Sequence, residues 1–170
     1  TAVIDESKDP FERLFLRLSE TAFATFNAYG YHVPMLFLFN EKYQIVDFVS
    51  TKTIDQADKY IFWRNAAERA IMLQAKGFVW ISELWLRGLT NNRFFHEKAI
   101  KNLPITGEKL QVIAADINNM ILEVSWDIKR DNMNNPTLIK CKSEPDKVGK
   151  RYFMRPILKA IGADYSHLNS

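Results

Sequence analysis

The sequence predicts an α+β fold: a mainly antiparallel sheet of five to six strands flanked by two long helices, in the order α-β-β-α-β-β-β with a short C-terminal helix. Three observations predict it, namely two amphipathic segments with helix-start signals, two hairpin signals, and one apolar strand between the hairpins. Hairpins pair their strands antiparallel, and helices cover the sheet. A chain of 170 residues has the length of one ordinary domain. We expect a single globular domain over residues 1–170, with mobile ends at residues 1–8 and 163–170.

The first helix is predicted to begin at Pro10 and to end at Gly30. Asp9 is a favourable N-cap, proline fits the first helical position, and Glu12 follows the cap by three residues. Apolar residues then recur every three or four positions, at Phe11, Leu14, Phe15, Leu18, Ala22, Phe23, Phe26 and Tyr29. Such a stripe needs a second layer to pack against.

A first hairpin is predicted to follow this helix. Residues 34–39 form a continuous apolar run, which is typical of a strand that is covered on both faces. Residues 40–43 make a polar turn, and residues 44–50 return as the second strand.

The second helix is predicted to open at Thr53, because Gln56 follows three residues later as in a capping box, and to end at Gly77. Its inward side is expected to carry Ala57, Tyr60, Ile61, Ala67, Ile71 and Ala75. Residues 78–87 then read as a third, largely apolar strand. Residues 88–108 lack a clean period and are predicted to form a long loop, a kind of segment that is often functional.

The second hairpin is predicted from residues 110–116 and 120–130, which flank an asparagine-rich turn. Residues 137–140 interrupt a polar segment and are a candidate edge strand. Residues 156–161 are expected to form a short closing helix that ends at Gly162. This order of elements resembles the roadblock and profilin-like group, small proteins that dimerise or bind ligands. The resemblance is one of element order alone and implies nothing about the function of this chain.

Composition narrows the classes of function and location. Cys141 is the single cysteine, so no disulfide can form within the chain and a reducing compartment is favoured. No apolar run approaches the ~20 residues that a membrane span needs. The net charge of +3 is too small to indicate an acidic partner. We therefore expect a cytoplasmic protein without a membrane partner.

Glu83 and Trp85 form the first candidate site. They share one face of the third strand with Val79 and Ile81, because strand side chains alternate. A carboxylate in apolar surroundings has a raised pKa, as a general acid needs. The alternative is that Glu83 forms an ion pair with an Arg or Lys of a neighbouring strand, or that it reaches solvent near an edge of the sheet.

Arg93 and His96 are the remaining catalytic candidates, both within the predicted loop 88–108. A surface loop anchored by its aromatic residues is the alternative. The three histidines form no H-x-H, H-x-x-H or H-E-x-x-H group, so we expect no metal site. The His-x-His pair of the metal-dependent isopeptidases of the JAB type has no match here. We also expect no cofactor, since no glycine-rich phosphate loop is present.

The second hairpin offers a polar strand face. Glu123, Ser125 and Asp127 alternate with apolar residues, so they lie together on one side of their strand. The simple interpretation is an antiparallel sheet with one solvated face. The sharper one is a groove or an interface at these three residues, where a second copy, a ligand or a partner would sit. Trp85 is a further ligand-binding candidate, beside Glu83 in the pocket predicted near the third strand.

The C-terminal part of the chain carries a surplus of basic residues, among them Lys147, Lys150, Arg151 and Arg155. Interleaved aromatic residues give this segment a weak capacity to bind anions or nucleic acid. We nevertheless expect no nucleic-acid partner, since no recognised binding module is present.

The leading hypothesis is a non-enzymatic module that self-associates, as a homodimer through a sheet face or a helix, or that binds an unknown protein or small molecule. It depends on the surplus of aromatic residues and on the lack of an assembled catalytic group. The alternatives are a small-ligand binder or enzyme with a pocket near the third strand and the loop 88–108, and a weak binder of anions or nucleic acid.

Overall fold

The computed structural model describes residues 9–51, 56–87, 105–118, 120–142 and 154–163. Its elements are α1 (Pro10–Tyr29), β1 (Met35–Phe39), β2 (Ile45–Ser50), α2 (Gln56–Met72), β3 (Gly77–Arg87), β4 (Ile105–Asp116), β5 (Ile121–Arg130), β6 (Pro136–Lys140) and α3 (Arg155–Ala160). The strands form one open sheet in the order β2-β1-β3-β4-β5-β6, and every neighbouring pair is antiparallel. The prediction of an α+β fold with an antiparallel sheet is confirmed.

The sheet carries one apolar cluster on each face. Val79 and Ile81 of β3 pack with the apolar side of α1, and we call this side of the sheet the α1 face. Phe78 and Trp80 alternate with them and pack with Trp63 of α2 and with α3, on what we call the α2 face. The two long helices therefore cover opposite faces.

The first helix begins and ends where its sequence predicts. Pro10 is the first helical residue, and the Glu12 amide donates to Asp9 Oδ2 over 3.4 Å. Gly30 closes the helix in the left-handed conformation, at a φ of 79°, while its amide donates to the Phe26 carbonyl over 2.7 Å. The predicted stripe is buried from Phe11 to Phe26 except at Phe23, and Tyr29 is exposed.

The second helix differs from its prediction at its C-terminus and on its inward side. It ends at Met72, and Gln74 takes the left-handed turn at a φ of 52°. Gly77 is instead the first residue of β3, where a Cβ atom would lie 2.6 Å from the Ala115 carbonyl oxygen. Thr53, the predicted start, lies outside the described residues.

The inward side of α2 was predicted wrongly at three positions. Tyr60, Ile61 and Ile71 are each more than half exposed. The buried side is formed by Trp63, Ala66, Ala67 and Ala70. Trp63 bridges α2 and the sheet, where it contacts Phe78 and Trp80, and the large apolar residues of the helix are left on the outside.

The predicted element order lacked one strand after α2. Four strands follow this helix, because Pro136–Lys140, predicted only as a possible edge strand, pairs with β5 along its whole length. The predicted loop 88–108 was also too long. Ile105 and Glu108 belong to β4, where they pair with Arg87 and Trp85. Residues 88–104 lie outside the described part of the chain.

The C-terminal helix matches its prediction closely, with Gly162 after it at a φ of 85°. The extent of the domain stays a prediction, and so does mobility of the ends, since residues 1–8 and 164–170 are not described. Within the described ranges, every helix is too short or too polar to span a lipid bilayer.

Candidate functional site

Glu83 is a half-buried carboxylate on the α1 face of β3. The segment after α1 passes over this strand, and the His32 amide donates to Glu83 Oε1 over 3.1 Å. Burial raises the pKa of the Glu83 carboxyl, and the negative charge of Glu108 raises it further. The His32 hydrogen bond and the charge of Arg130 act in the opposite direction, to a smaller net extent.

Glu108 and Arg130 lie beside Glu83 and pair with each other. The Arg130 guanidinium donates through Nε to Glu108 Oε2 over 2.8 Å and through Nη2 to Oε1 over 3.2 Å. This two-point contact is the strong form of an ion pair, and it raises the pKa of Arg130. Arg130, which is on β5 and not on a strand next to β3, therefore bonds Glu108 and not Glu83. Trp85, which pairs with Glu108 across β3 and β4, is 52% exposed next to this group.

His32 is buried beneath the same group. Its Nδ1 lies 2.7 Å from the Val33 carbonyl oxygen. Burial lowers the pKa of the imidazole, and the bond to Val33 opposes this shift. A lowered pKa favours the neutral ring, in which Nδ1 carries the hydrogen and donates to that carbonyl.

Three of these neighbours were missed by the sequence analysis. Glu108 fell within the predicted loop, although it belongs to a strand. Arg130 follows Trp126 and Ile128 with the strand period, and this signal was available to place it on the same face. No local signal places His32, because its position depends on the path of the chain after α1.

Glu83→Gln is expected to stabilise the fold at pH 7 and to have much less effect at about pH 4. The pKa of Glu83 is raised in the folded state. The contribution of this residue to the free energy of unfolding is therefore fully present below the unfolded-state pKa and is lost as the pH rises through the folded-state pKa. Glutamine carries no charge to desolvate, and its Oε1 can still accept the His32 hydrogen bond. Urea unfolding of both proteins across this pH range measures the difference. A difference that stays constant with pH would contradict the assignment.

The predicted polar face of β5 lies on the α2 face of the sheet. Glu123 accepts a hydrogen bond from Gln111 Nε2, and Lys109 Nζ lies 3.8 Å from Asp127 Oδ1. Ser125 lies between the two acidic residues and pairs with Gln111 across the strands. Ser82 belongs to the same face, and its buried hydroxyl has no hydrogen-bond partner within the described structure.

The four predicted ligand-binding residues lie on the two faces of the sheet. Trp85 has the strand parity of Val79 and Ile81 and lies on the α1 face. Glu123, Ser125 and Asp127 lie on the opposite face, where Ile113 pairs with Glu123. The sheet separates the two groups, so no single ligand contacts both through the described strands.

The other predicted site residues fall mostly outside the described part of the chain. Arg93, His96, Lys147, Lys150 and Arg151 lie in ranges that the structure does not describe. Arg155 is exposed at the first position of α3. Among the described residues, no group of three or more His, Cys, Asp or Glu side chains is placed to hold a metal ion.

Two exposed apolar surfaces were also missed. On β2, at one end of the sheet, Ile45, Val46 and Phe48 are exposed. On the outer side of α2, the exposed apolar residues are Tyr60, Ile61, Ile71 and Met72. Contiguous exposed apolar side chains mark interaction sites more often than isolated ones do.

A family model described as Bacteriophage lambda protein ea47 matches residues 1–164 of the chain. The chain belongs to the ea47 family. It is 44% identical over 155 residues to "Protein ea47" of Escherichia phage lambda, an alignment that covers 91% of this chain and 36% of that relative. This ea47-family chain thus spans about a third of the length of the curated relative that it matches. No solved structure matches it.

Proposed function

We propose that this ea47-family chain is a non-enzymatic self-association module that joins two copies through the outer edge of β2. The observation that carries the proposal is an open strand edge with apolar side chains along it. β2 is the last strand on its side of the sheet, and among the described residues no strand pairs with its outer side. Open strand edges are templates for pairing with another chain.

The hydrogen bonds of the hairpin show which backbone groups are available. The Thr51 amide donates to the Pro34 carbonyl over 3.0 Å, so residue 51 faces β1. Backbone groups alternate in direction along an antiparallel strand. Val49 therefore also faces β1, opposite Leu36, whereas the N–H and C=O groups of Phe48 and Ser50 point away from the sheet. A second β2 running antiparallel could pair with them around a twofold axis.

The side chains of β2 favour such pairing. Phe48 is 59% exposed and contacts Phe37 at a ring-centroid distance of 6.2 Å on the α1 face. Asp47 lies on the other face and forms an ion pair with Arg69, whose Nε donates to Asp47 Oδ2 over 2.7 Å. Edge strands are commonly protected by lysine or proline, and β2 contains neither. The pairing of β1 with β2 shifts register at Val46. The regular part of the β2 edge therefore lies on the C-terminal side of this residue.

Phe48→Lys is expected to lower the average mass measured by sedimentation equilibrium by about twofold or more, because one twofold interface is lost. A charged side chain at the centre of the edge opposes strand pairing between copies, while the bonds between β1 and β2 remain. Met133→Lys is the matched control, since Met133 is an exposed apolar residue in the turn between β5 and β6 and lies off the proposed edge. An unchanged mass for the Phe48 variant, or a monomeric unsubstituted chain at every micromolar concentration, would refute the proposal.

The remaining hypotheses stay predictions. The pocket near β3 and the anion-binding segment both involve residues outside the described ranges. A cytoplasmic location, which the single cysteine favours, and the absence of a nucleic-acid partner, which the lack of a recognised binding module favours, stay proposals.

A further inference from the structure

The outer side of α2 is a continuous exposed stripe. With 3.6 residues per turn, positions 60, 61, 64, 68, 71 and 72 fall on one side of the helix, opposite the buried Trp63, Ala66 and Ala70. Tyr60 and Ile61 form its N-terminal end, and Ile71 and Met72 form its C-terminal end. Among the described residues, α3 and the residues that flank it pack beside α2. The side chains of Tyr60, Ile61, Ile71 and Met72 nevertheless remain exposed.

The middle of the stripe carries two opposite charges. Arg64 and Glu68 are both exposed, and neither forms an ion pair with any described residue. They are four residues apart, one turn, and lie at equal distances on either side of position 66. Along the helix the stripe therefore consists of an apolar end, a positive charge, a negative charge and a second apolar end.

This pattern is complementary to itself in an antiparallel arrangement. A twofold axis at position 66 places Arg64 of one copy opposite Glu68 of the other, and the reverse. The same axis brings Ile61 against Met72 and Tyr60 against Ile71, on matching sides of the two helices. Both charges are compensated and both apolar ends are covered, which is the requirement for an interface between identical surfaces.

We infer that α2 forms a second interface, in which a second copy of this chain packs its α2 antiparallel and on a twofold axis. The surface is distinct from the β2 edge, and the inference does not require that edge to pair. It extends the proposed self-association, because a subunit with two different twofold interfaces assembles beyond a dimer.

Charge reversal tests the inference in a chain that also carries Phe48→Lys, so that only the α2 interface is available. This chain is expected to form dimers. Adding Arg64→Glu or Glu68→Arg places like charges opposite each other twice, and the dissociation constant is expected to rise about tenfold or more. Mixing the two charge variants restores opposite charges at both contacts and is expected to restore the dimer. Placing both reversals in one chain is expected to do the same.

Sedimentation equilibrium gives the mass of each species, and circular dichroism checks that α2 remains helical. Glu20→Arg is the matched control, because it reverses an exposed charge on α1 and is expected to leave the mass unchanged. The inference is overturned if the Phe48→Lys chain is monomeric, if the reversals leave its mass unchanged, or if the mixture stays monomeric. Arg64→Glu in a chain with Phe48 intact separates the two proposals, since that chain still dimerises through β2 if the edge pairs.

Discussion

Trp63→Ala is expected to lower the free energy of unfolding by about 3–5 kcal/mol. The side chain is 1% exposed and is the largest fully buried residue between α2 and the sheet. Its rings lie 4.9 Å from those of Trp80, 5.4 Å from Phe62 and 6.1 Å from Phe78, measured between centroids. Alanine leaves a cavity among rings that cannot all move inward, so lost burial and the cavity both contribute.

Urea unfolding monitored by circular dichroism measures this change. Tyr29→Ala is the matched aromatic control, because Tyr29 is 70% exposed and its loss is expected to change stability by about 0.5 kcal/mol or less. Trp63→Phe, which retains most of the apolar area, is expected to fall between the two. Equal effects of Trp63→Ala and Tyr29→Ala would show that α2 does not pack on the sheet through this residue.

Gly77→Ala is expected to cost about 3 kcal/mol, at the upper end of the usual range for overpacking. An added Cβ would clash with Phe39 Cζ and would lie 2.6 Å from the Ala115 carbonyl oxygen. The ring can shift, but the carbonyl belongs to the neighbouring strand β4, which pairs with Gly77 and Phe78. Moving that backbone disturbs the ladder at the centre of the sheet.

Two further variants separate the contacts at Gly77. Phe39→Leu removes the ring contact and leaves the carbonyl contact. Gly77→Ala is therefore expected to lower the free energy of unfolding less in a Phe39→Leu chain than in the unsubstituted chain, but still to lower it. Gly30→Ala provides the comparison, since the nearest atom there is 3.8 Å away and the cost of about 1–2 kcal/mol arises from the φ of 79°. A Gly77→Ala chain as stable as the unsubstituted one would contradict the close approach of β1, β3 and β4.

The parts of the fold that sequence predicts are those with local signals. α1 has its cap, its proline and its glycine within its own segment, and both ends were correctly placed. The start of β4 has no such signal, because Ile105 and Gly107 do not alternate clearly in polarity. Pairing with β3 determines where β4 begins, and the residue of β3 that pairs with Ile105 is about twenty residues earlier in the chain.

The candidate sites show the same limit. The shared face of Glu83 and Trp85 follows from the strand period alone. Their neighbours Glu108 and Arg130 depend on the register of three strands, which the sequence does not reveal. For α2, the large apolar residues suggested one inward side, whereas a stripe of alanines around Trp63 packs on the sheet.

The most direct test of self-association is residue-resolved amide hydrogen exchange at low and high protein concentration. Val49 faces β1 within its own hairpin, so its amide is expected to exchange slowly at both concentrations. The amides of Phe48 and Ser50 point outward, and their exchange is expected to slow by about tenfold or more as concentration rises and copies pair. Exchange at Phe48 and Ser50 that is fast and independent of concentration would contradict pairing through β2.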